Sequence, residues 1–174
     1  MLATHLDAET RYTKLRIETL KAATVLIGTE ISPTLKATEI NPVALMASRE
    51  WTTSSLRIKN WNWTEGYSSF KFQHPKRFEM ALWDSNRLIG LSLGRPTYHG
   101  KSLRMDFIEA SPPDLGDRPP IFEAMELAYR IYGRLINAKQ LRIMNPANDK
   151  VRSYYETFGY QYVSKGDYLF MEII

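Results

Sequence analysis

The segment Asn148–Tyr160, with the sequence NDKVRSYYETFGY, carries a tyrosine hydroxyl near the end of a short predicted helix that lies between strands. Asn148 can cap this helix, because its side-chain oxygen can accept a hydrogen bond from a free backbone N–H of the first turn. The i, i+3, i+4, i+7 spacing predicts one apolar helical face, made by Val151, Tyr154, Tyr155 and Phe158. Gly159 follows where a left-handed helix end favours glycine. Tyr155 is therefore a candidate for chemistry, and a core tyrosine whose hydroxyl bonds to the backbone is the structural alternative.

The composition restricts the chemistry available elsewhere in the chain. The 174 residues include no cysteine, which excludes disulfides, thiolate catalysis and cysteine metal sites and fits a reducing cytoplasm. His5, His74 and His99 lie far apart without ligand spacing, so no metal site is predicted. We expect neither a signal peptide nor a membrane span, because no apolar run has the required length or flanks. The net charge of +4 leaves nucleic acid, an anionic cofactor or a solvated surface open.

Helices and strands that could position Tyr155 follow from apolar periodicity and from turn residues. Hairpins are predicted where two alternating runs flank a turn cluster. Residues 29–41 show no clear pattern. The predicted order is a helix at about Asp7–Ile27 ended by Gly28, a short helix Pro42–Ser48, a hairpin Arg77–Arg95, a strand Ser102–Ala110, a long helix at about Pro119–Asn137, a strand Leu141–Met144, the helix capped by Asn148, and a hairpin of Gln161–Val163 with Tyr168–Ile173.

The segment Arg49–Pro75 is rich in aromatic residues but has no readable periodicity. Its aromatic side chains are Trp51, Trp61, Trp63, Tyr67, Phe70 and Phe72. One interpretation is a loop or short helix whose aromatic rings cover the core. The other is a wall that faces a substrate, since aromatic rings offer a broad surface with polar edges.

The element order and the segment Asn148–Tyr160 resemble the GNAT superfamily of acetyl-CoA-dependent N-acetyltransferases. The positions of the family's C-terminal motif are held by Asn148, Val151, Tyr154, Tyr155, Gly159 and Tyr160. The resemblance covers the chain from Arg77 to its end. It implies an α/β fold (an α+β mixed sheet) of about six to seven strands, with helices on both faces and splayed central strands, and a single domain over residues 1–174.

The resemblance also implies where the reaction would take place. Acetyl-CoA would lie in a V-shaped opening between the strands Leu103–Ala110 and Leu141–Met144, with its pantetheine arm bonded to the backbone of Phe107 and Ile108. A substrate amine would attack the thioester directly, without an enzyme nucleophile. Tyr155 would then act as the general acid that protonates the departing thiolate.

Three further residues receive roles from the resemblance. Glu109 is the candidate general base, acting through water, and Glu79 is held in reserve because its strand should lie nearby. The structural alternative for Glu109 is a solvated carboxylate at the end of a strand. Asn148 would hydrogen-bond the pantetheine arm in addition to capping its helix.

The loop expected to bind the cofactor phosphates is atypical. The family pattern has glycines whose backbone N–H groups approach the pyrophosphate at a helix start, whereas this chain has Leu115–Pro120, with the sequence LGDRPP. Its two prolines remove two donors, and Asp117 adds a negative charge. The predicted phosphate ligands are Gly116, the N–H groups of Arg118 and Ile121, and the Arg118 guanidinium. Alternatively, the Arg118 side chain faces solvent at the helix start.

Two functions follow from these observations. The first is a cytoplasmic N-acetyltransferase that uses acetyl-CoA, needs no metal and acts on an amine. The second is a GNAT-fold protein without catalysis that binds a protein or nucleic acid, suggested by the atypical loop and by the aromatic segment. A small amine, a peptide N-terminus, a lysine and an aminoacyl-tRNA all remain open as acceptors, as does a homodimer through the last strands.

Overall fold

The computed structural model describes the backbone of residues 2–174 and the side chains of residues 4–174. Its helices are α1 (Leu2–Glu30), α2 (Pro42–Ser48), α3 (Trp63–Gln73), α4 (Ile121–Leu135) and α5 (Asp149–Glu156). Its strands are β1 (Leu35–Thr38), β2 (Phe78–Asp84), β3 (Arg87–Pro96), β4 (Ser102–Ala110), β5 (Gln140–Met144), β6 (Gln161–Val163) and β7 (Tyr168–Glu172). The seven strands form one sheet in the order β1-β2-β3-β4-β5-β7-β6.

The sheet is mixed, and its one parallel pair lies in the middle. All neighbouring strands run antiparallel except β4 and β5. These two pair only from Ser102 opposite Gln140 to Met105 opposite Ile143. β4 then continues through Asp106–Ala110 without a partner on that side. The predicted mixed α/β sheet with splayed central strands is therefore confirmed.

Side-chain alternation along the strands separates two cores, one on each face of the sheet. On β2, Phe78, Met80 and Leu82 point to the face covered by α1 and α4, which we call the α4 face. Ala81 and Trp83 point to the opposite face, covered by α2 and α3, which we call the α3 face. The period of two in a strand produces this division.

The N-terminal part of the chain differs most from the sequence prediction. α1 extends through Gly28 to Glu30, so the prediction that Gly28 ends the helix is wrong. β1 was not predicted, because its four residues are too few to show a clear alternation. The strand is defined by its pairing with β2. The segment Arg49–Pro75 contains a short 3₁₀ helix, Arg49–Thr53, followed by α3. The short helix α2 is confirmed, and Asn41 caps it by accepting from the Ala44 N–H at 2.9 Å.

Buried charged side chains join α1 to β2 and α3. Arg77 donates to Glu9 Oε2 at 2.9 Å and to Glu79 Oε1 at 2.8 Å. Arg16 donates to Glu9 Oε1 at 2.6 Å, and the Tyr67 hydroxyl donates to Glu79 Oε2 at 2.5 Å. Because Arg16, Arg77 and Glu79 are almost completely buried, each charge depends on its partners.

Replacing Glu9 with glutamine is expected to lower the free energy of unfolding at pH 7 and to weaken its dependence on acidic pH. Burial opposes ionisation of Glu9, but Arg77 and Arg16 outweigh burial and lower the pKa of this carboxyl below its ordinary value of 4.5. A lowered pKa stabilises the fold above pH 4.5 and loses this contribution as the pH falls through the folded value. Urea unfolding between pH 7 and pH 3 measures the effect.

The matched control for Glu9→Gln is Glu18→Gln, which removes an exposed carboxylate from the same helix. Its unfolding curve should follow that of the unchanged protein at every pH. Equal pH dependence in the two variants would contradict a role for Glu9 in acid stability.

Two negative findings apply to the part of the chain that the structure describes. No helix there combines the length and the apolar character needed to cross a membrane. No group of three or more histidine, aspartate or glutamate side chains in residues 4–174 is arranged to hold a metal ion.

Candidate active site

The opening between β4 and β5 is the centre of the candidate site. Since the two strands are parallel, their carboxyl ends lie at the same edge of the sheet, where open α/β folds bind ligands. β4 leads from this edge to the start of α4, and β5 leads to α5. Opposite Leu93 and Gly94 on β3, β4 carries an extra residue, Asp106, so a bulge marks the point where β4 leaves β5.

Tyr155 lies on α5, the helix that follows β5, and packs on α4. Its ring lies 4.8 Å from the Phe122 ring, centroid to centroid, and only 9% of the residue is exposed. Its hydroxyl makes no hydrogen bond to any residue that the structure describes, so the predicted alternative of a hydroxyl bonded to the backbone is not observed. Burial, and then the neighbouring Tyr154, raise the pKa of the Tyr155 phenol well above its usual range. The phenol therefore carries its proton at neutral pH.

Tyr154 occupies a more exposed position on the same helix. It is 47% exposed, although the sequence placed it on one apolar face with Tyr155. Burial and then Glu123 raise the pKa of Tyr154, whereas Arg118 opposes the shift. These electrostatic effects place Tyr154 near both Arg118 and Glu123 at the start of α4.

Asn148 caps α5 as predicted. Its Oδ1 atom accepts a hydrogen bond from the Val151 N–H at 2.9 Å. At the other end of this segment Gly159 has φ +89°, a left-handed conformation that favours glycine. The additional role of Asn148 toward a pantetheine arm stays a prediction.

The loop before α4 is organised by Arg87, a residue that sequence reasoning missed. Arg87 donates to the carbonyl of Leu115 at 3.1 Å and also to the carbonyl of Asp117. A Cβ atom on Gly116, which has φ +127°, would lie 2.1 Å from Arg87 Nη1. Gly116 therefore allows Arg87 to approach the loop. No local pattern could have identified Arg87, because it comes from the start of β3.

The start of α4 supplies the donors that an anion would need. Pro120 offers no side-chain cap, and the first backbone bond of the helix runs from Ala124 to Pro120. The N–H groups of Ile121, Phe122 and Glu123 therefore lack partners within the helix. Free N–H groups at a helix start are donors of the kind that phosphate groups bind, and the Arg87 and Arg118 guanidiniums lie in the loop before it.

Other features of the loop work against an anion. The Asp117 and Glu123 carboxylates bring negative charge near the same helix start. Arg118 is exposed and donates to the Ser111 carbonyl at 3.1 Å, so it is tied to the loop at one nitrogen. The phosphate roles of Gly116, Arg118 and Ile121 stay predictions.

Glu109 is a buried and fully engaged carboxylate. Arg57 donates to it through Nε at 2.5 Å and through Nη2 at 3.0 Å, and the Trp63 indole N–H donates at 2.5 Å. The side chains of Glu109 and Arg57 are each 6% exposed. Glu109 is thus not the solvated carboxylate of the structural alternative. To accept a proton as a general base, it would have to release one of these donors.

Glu79, the reserve candidate for the base, is equally occupied. It accepts hydrogen bonds from Arg77, from the Tyr67 hydroxyl and from the Ile40 N–H at 3.0 Å. It lies on β2, and β3 separates this strand from β4. Glu79 therefore joins α3 to the segment after β1, and its remaining partner Arg77 connects it to Glu9 of α1.

Aromatic side chains from Arg49–Pro75 surround Phe107, which lies on the unpaired part of β4. The rings of Trp61, Trp63 and Phe70 lie 4.9, 6.3 and 6.0 Å from the Phe107 ring. A groove of about 520 Å³ runs beside Trp61, Trp63 and Arg57. Trp63 is buried in the core and Trp61 packs against it, as the first interpretation expects, whereas a substrate-facing role for the groove stays a prediction.

Together these features define the class of fold. A mixed sheet that opens between its parallel central strands, with a helix start and a capped helix at that edge, is the GNAT fold. Comparison with solved structures confirms this fold, and no family model and no curated protein matches the chain.

Three solved structures illustrate the likeness. An acetyltransferase from Thermus thermophilus superposes with a TM-score of 0.61 at 15% identity, over 80% of this chain and 97% of that one. A GNAT-family protein from Desulfovibrio desulfuricans gives 0.61 at 13% identity, over 80% and 99%. The ribosomal-protein-S18-alanine N-acetyltransferase of Escherichia coli gives 0.54 at 11% identity, over 80% and 94%. At these identities the likeness establishes the fold.

Proposed function

We propose that the protein transfers an acetyl group from acetyl-CoA to an amine by direct attack. The opening between β4 and β5 carries this proposal, because it leaves the edge of β4 free at the end of the sheet from which the chain leads to α4 and to α5, the helix that carries the buried phenol of Tyr155. The solved structures that share the fold include acetyltransferases. No cysteine or metal cluster is needed for this reaction.

Each part of the opening has a separate task in this proposal. Acetyl-CoA supplies a thioester that an amine can attack when it is bound. The β4 edge at Phe107 and Ile108 binds the pantetheine arm as an added strand would bind. The first-turn N–H groups of α4, with Arg118 and Arg87, bind the phosphates.

Proton transfer completes the proposed reaction. The amine nitrogen forms a bond to the acetyl carbon while the carbon–sulfur bond breaks. Tyr155 donates its proton to the departing sulfur, and Glu109 accepts a proton from the amine through water. For this step Glu109 exchanges the Trp63 N–H for water and keeps its ion pair with Arg57.

Calorimetry with acetyl-CoA tests the proposal directly. We expect saturable binding with a Kd between about 1 μM and 1 mM, the range typical of enzyme substrates. Arg118→Gln should weaken binding about tenfold, because a charge-assisted hydrogen bond contributes about 1.5 kcal/mol or more. S-acetylpantetheine, which lacks the nucleotide phosphates, should bind equally to both proteins.

Arg11→Gln, an exposed change of the same charge on α1, is the control for the Arg118 variant and should bind acetyl-CoA normally. An absence of acetyl-CoA binding at millimolar concentration would exclude the enzyme function.

A GNAT-fold binding module without catalysis is the second candidate. The two prolines before α4 favour it, because they remove backbone N–H donors, and Arg87 already donates to the carbonyls of Leu115 and Asp117, so fewer of its N–H groups are left for a phosphate. Mass spectrometry of the purified protein separates the two functions. Retained CoA supports the transferase, whereas a protein or nucleic-acid partner without any CoA binding supports the module.

A further inference from the structure

Three arginines stand side by side across the middle of the sheet. Arg95 on β3 lies directly opposite Arg104 on β4, and Arg104 lies directly opposite Arg142 on β5. We call these residues the arginine row. Like charges directly opposite each other on neighbouring strands are destabilising, so this arrangement requires a compensating negative charge.

All three side chains of the arginine row lie on the α3 face. Arg104 lies between the core residues Leu103 and Met105, and Arg142 between Leu141 and Ile143; these four neighbours belong to the core of the α4 face. Gly94, next to Arg95, would direct a Cβ toward Tyr129 of α4. Side chains alternate between faces along a strand, so the arginines point the other way.

The protein itself supplies only part of the compensation. Asp106 binds Arg104 and lies 3.6 Å from Arg95 Nε, and it is the one carboxylate ion-paired with the row among the described residues. Arg142 instead donates to the Gln140 side chain at 3.2 Å and lies 4.6 Å above the Tyr168 ring. The surplus of positive charge is therefore two.

The arginine row also contains hydrogen-bond donors that have no partner among the described residues. The Nε atoms of Arg95, Arg104 and Arg142 are buried and donate to no atom of the described chain. The side chains of Arg95 and Arg104 remain 37% and 25% exposed, so a ligand can reach the row from solvent. Burial lowers the pKa of the nearby His74, and Arg95 lowers it further, so this imidazole stays neutral at pH 7 and neither adds to nor compensates the positive charge of the row.

The position of the row relates it to the opening. The pair Arg104–Arg142 comes one residue before the last pair of β4 and β5, about 3.3 Å along the strand from the point of separation. The first turn of α4, whose N–H groups are predicted phosphate donors, packs on the opposite face of the sheet through Ile121 and Phe122. An anion at the row is therefore separate from the phosphates of acetyl-CoA and close to where an amine would enter.

We infer that the arginine row binds an oxyanion, a carboxylate or phosphate carried by the amine acceptor itself. This inference rests on the proposed acetyl transfer and specifies the chemical class of the acceptor. Planar guanidiniums hold such groups through paired hydrogen bonds. The row thus selects an anionic amine over a neutral amine of the same length.

The first test measures anion binding without acetyl-CoA. Inorganic phosphate and acetate are titrated separately by calorimetry into the unchanged protein, Arg142→Gln, Arg142→Lys and Lys139→Gln. We expect saturable binding of at least one anion, about tenfold weaker in Arg142→Gln, as expected for one charge-assisted hydrogen bond. Arg142→Lys, which keeps the charge, should lose less. Lys139→Gln removes an exposed charge next to β5 and should bind normally.

The second test measures selectivity during turnover with acetyl-CoA. β-Alanine is compared with n-propylamine, and phosphoethanolamine with ethanolamine, so that each pair differs by its anionic group. We expect kcat/KM to favour the anionic member by about tenfold or more, and this preference to approach one in Arg142→Gln. The pair with the larger preference identifies carboxylate or phosphate as the recognised group.

The outcomes separate the two proposals. Equal anion binding in Arg142→Gln and Lys139→Gln, or none in the unchanged protein, overturns the inference, as does turnover without preference for anionic amines. If anion binding depends on Arg142 but the protein binds no acetyl-CoA, the anion site is supported and the proposed acetyl transfer is wrong. If none of the four small amines is acetylated, the binding experiment decides alone.

Discussion

Tyr155→Phe is expected to lower kcat by about a hundredfold or more, the usual contribution of a positioned general acid. The variant keeps the ring that packs on Phe122 and removes only the hydroxyl, which has no hydrogen-bond partner among the described residues. We therefore expect the free energy of unfolding and the Kd of acetyl-CoA to stay unchanged. Loss of kcat without loss of binding identifies a group that acts mainly in the transition state.

Tyr154→Phe provides the matched control for this experiment. It removes a hydroxyl from the adjacent residue, which is 47% exposed. Its kcat should stay within about twofold of the unchanged protein, a loss far below that expected for a general acid. If Tyr155→Phe turns over as fast as Tyr154→Phe, the assignment of Tyr155 as the acid is wrong.

The pH dependence of turnover gives a second measurement on Tyr155. Burial raises the pKa of its phenol, so the acid form persists through the neutral and mildly alkaline range. We expect no alkaline fall in kcat attributable to this group below about pH 10, the ordinary tyrosine value. A fall near neutral pH that disappears in Tyr155→Phe would contradict the structure.

Glu109→Gln is expected to lower the free energy of unfolding by about 3 kcal/mol, because it leaves the Arg57 guanidinium buried without a counter-charge. The glutamine side chain also carries an NH₂ group where the carboxylate had an oxygen. This group would face another hydrogen-bond donor, either Arg57 or the Trp63 N–H. Urea unfolding measures the loss. Glu65→Gln removes an exposed carboxylate from the same groove and should change stability by less than about 0.5 kcal/mol.

A double-mutant cycle with Arg57→Met separates the structural role of Glu109 from a catalytic one. Coupling between the two substitutions in unfolding experiments measures the ion pair. If Glu109 is the base, Glu109→Gln should lose kcat/KM about a hundredfold under conditions where it is folded. Arg57→Met, which keeps the carboxylate, should lose much less. Equal kinetic losses in the two variants would assign Glu109 to structure alone.

Local patterns predicted most of the elements around the opening. The strands β2 to β5 and the final hairpin follow from alternation of apolar residues and from turn clusters. The cap Asn148 and the left-handed Gly159 were predicted from residue type and position. Such features depend on hydrogen bonds and backbone conformations within a few residues, and the sequence states these directly.

The site itself was predicted less completely. The sequence placed Tyr155 and Glu109 near one opening, but it did not indicate that Glu109 is held by Arg57 and Trp63. Nor did it indicate Arg87 beside Gly116. Each of these contacts joins residues at least 29 positions apart, beyond the reach of helical or strand periodicity.

The sequence by itself therefore determined the capped helix around Tyr155, the strands beside it and the resemblance to the GNAT family. The tertiary structure alone decided which charges meet: the engagement of Glu109, the filling of the loop by Arg87, and the alignment of Arg95, Arg104 and Arg142 in one row. The physical reason is that packing between distant segments sets these neighbours. For the arginine row this packing is the strand register, and a shift of one residue would turn a strand's arginine to the other face of the sheet.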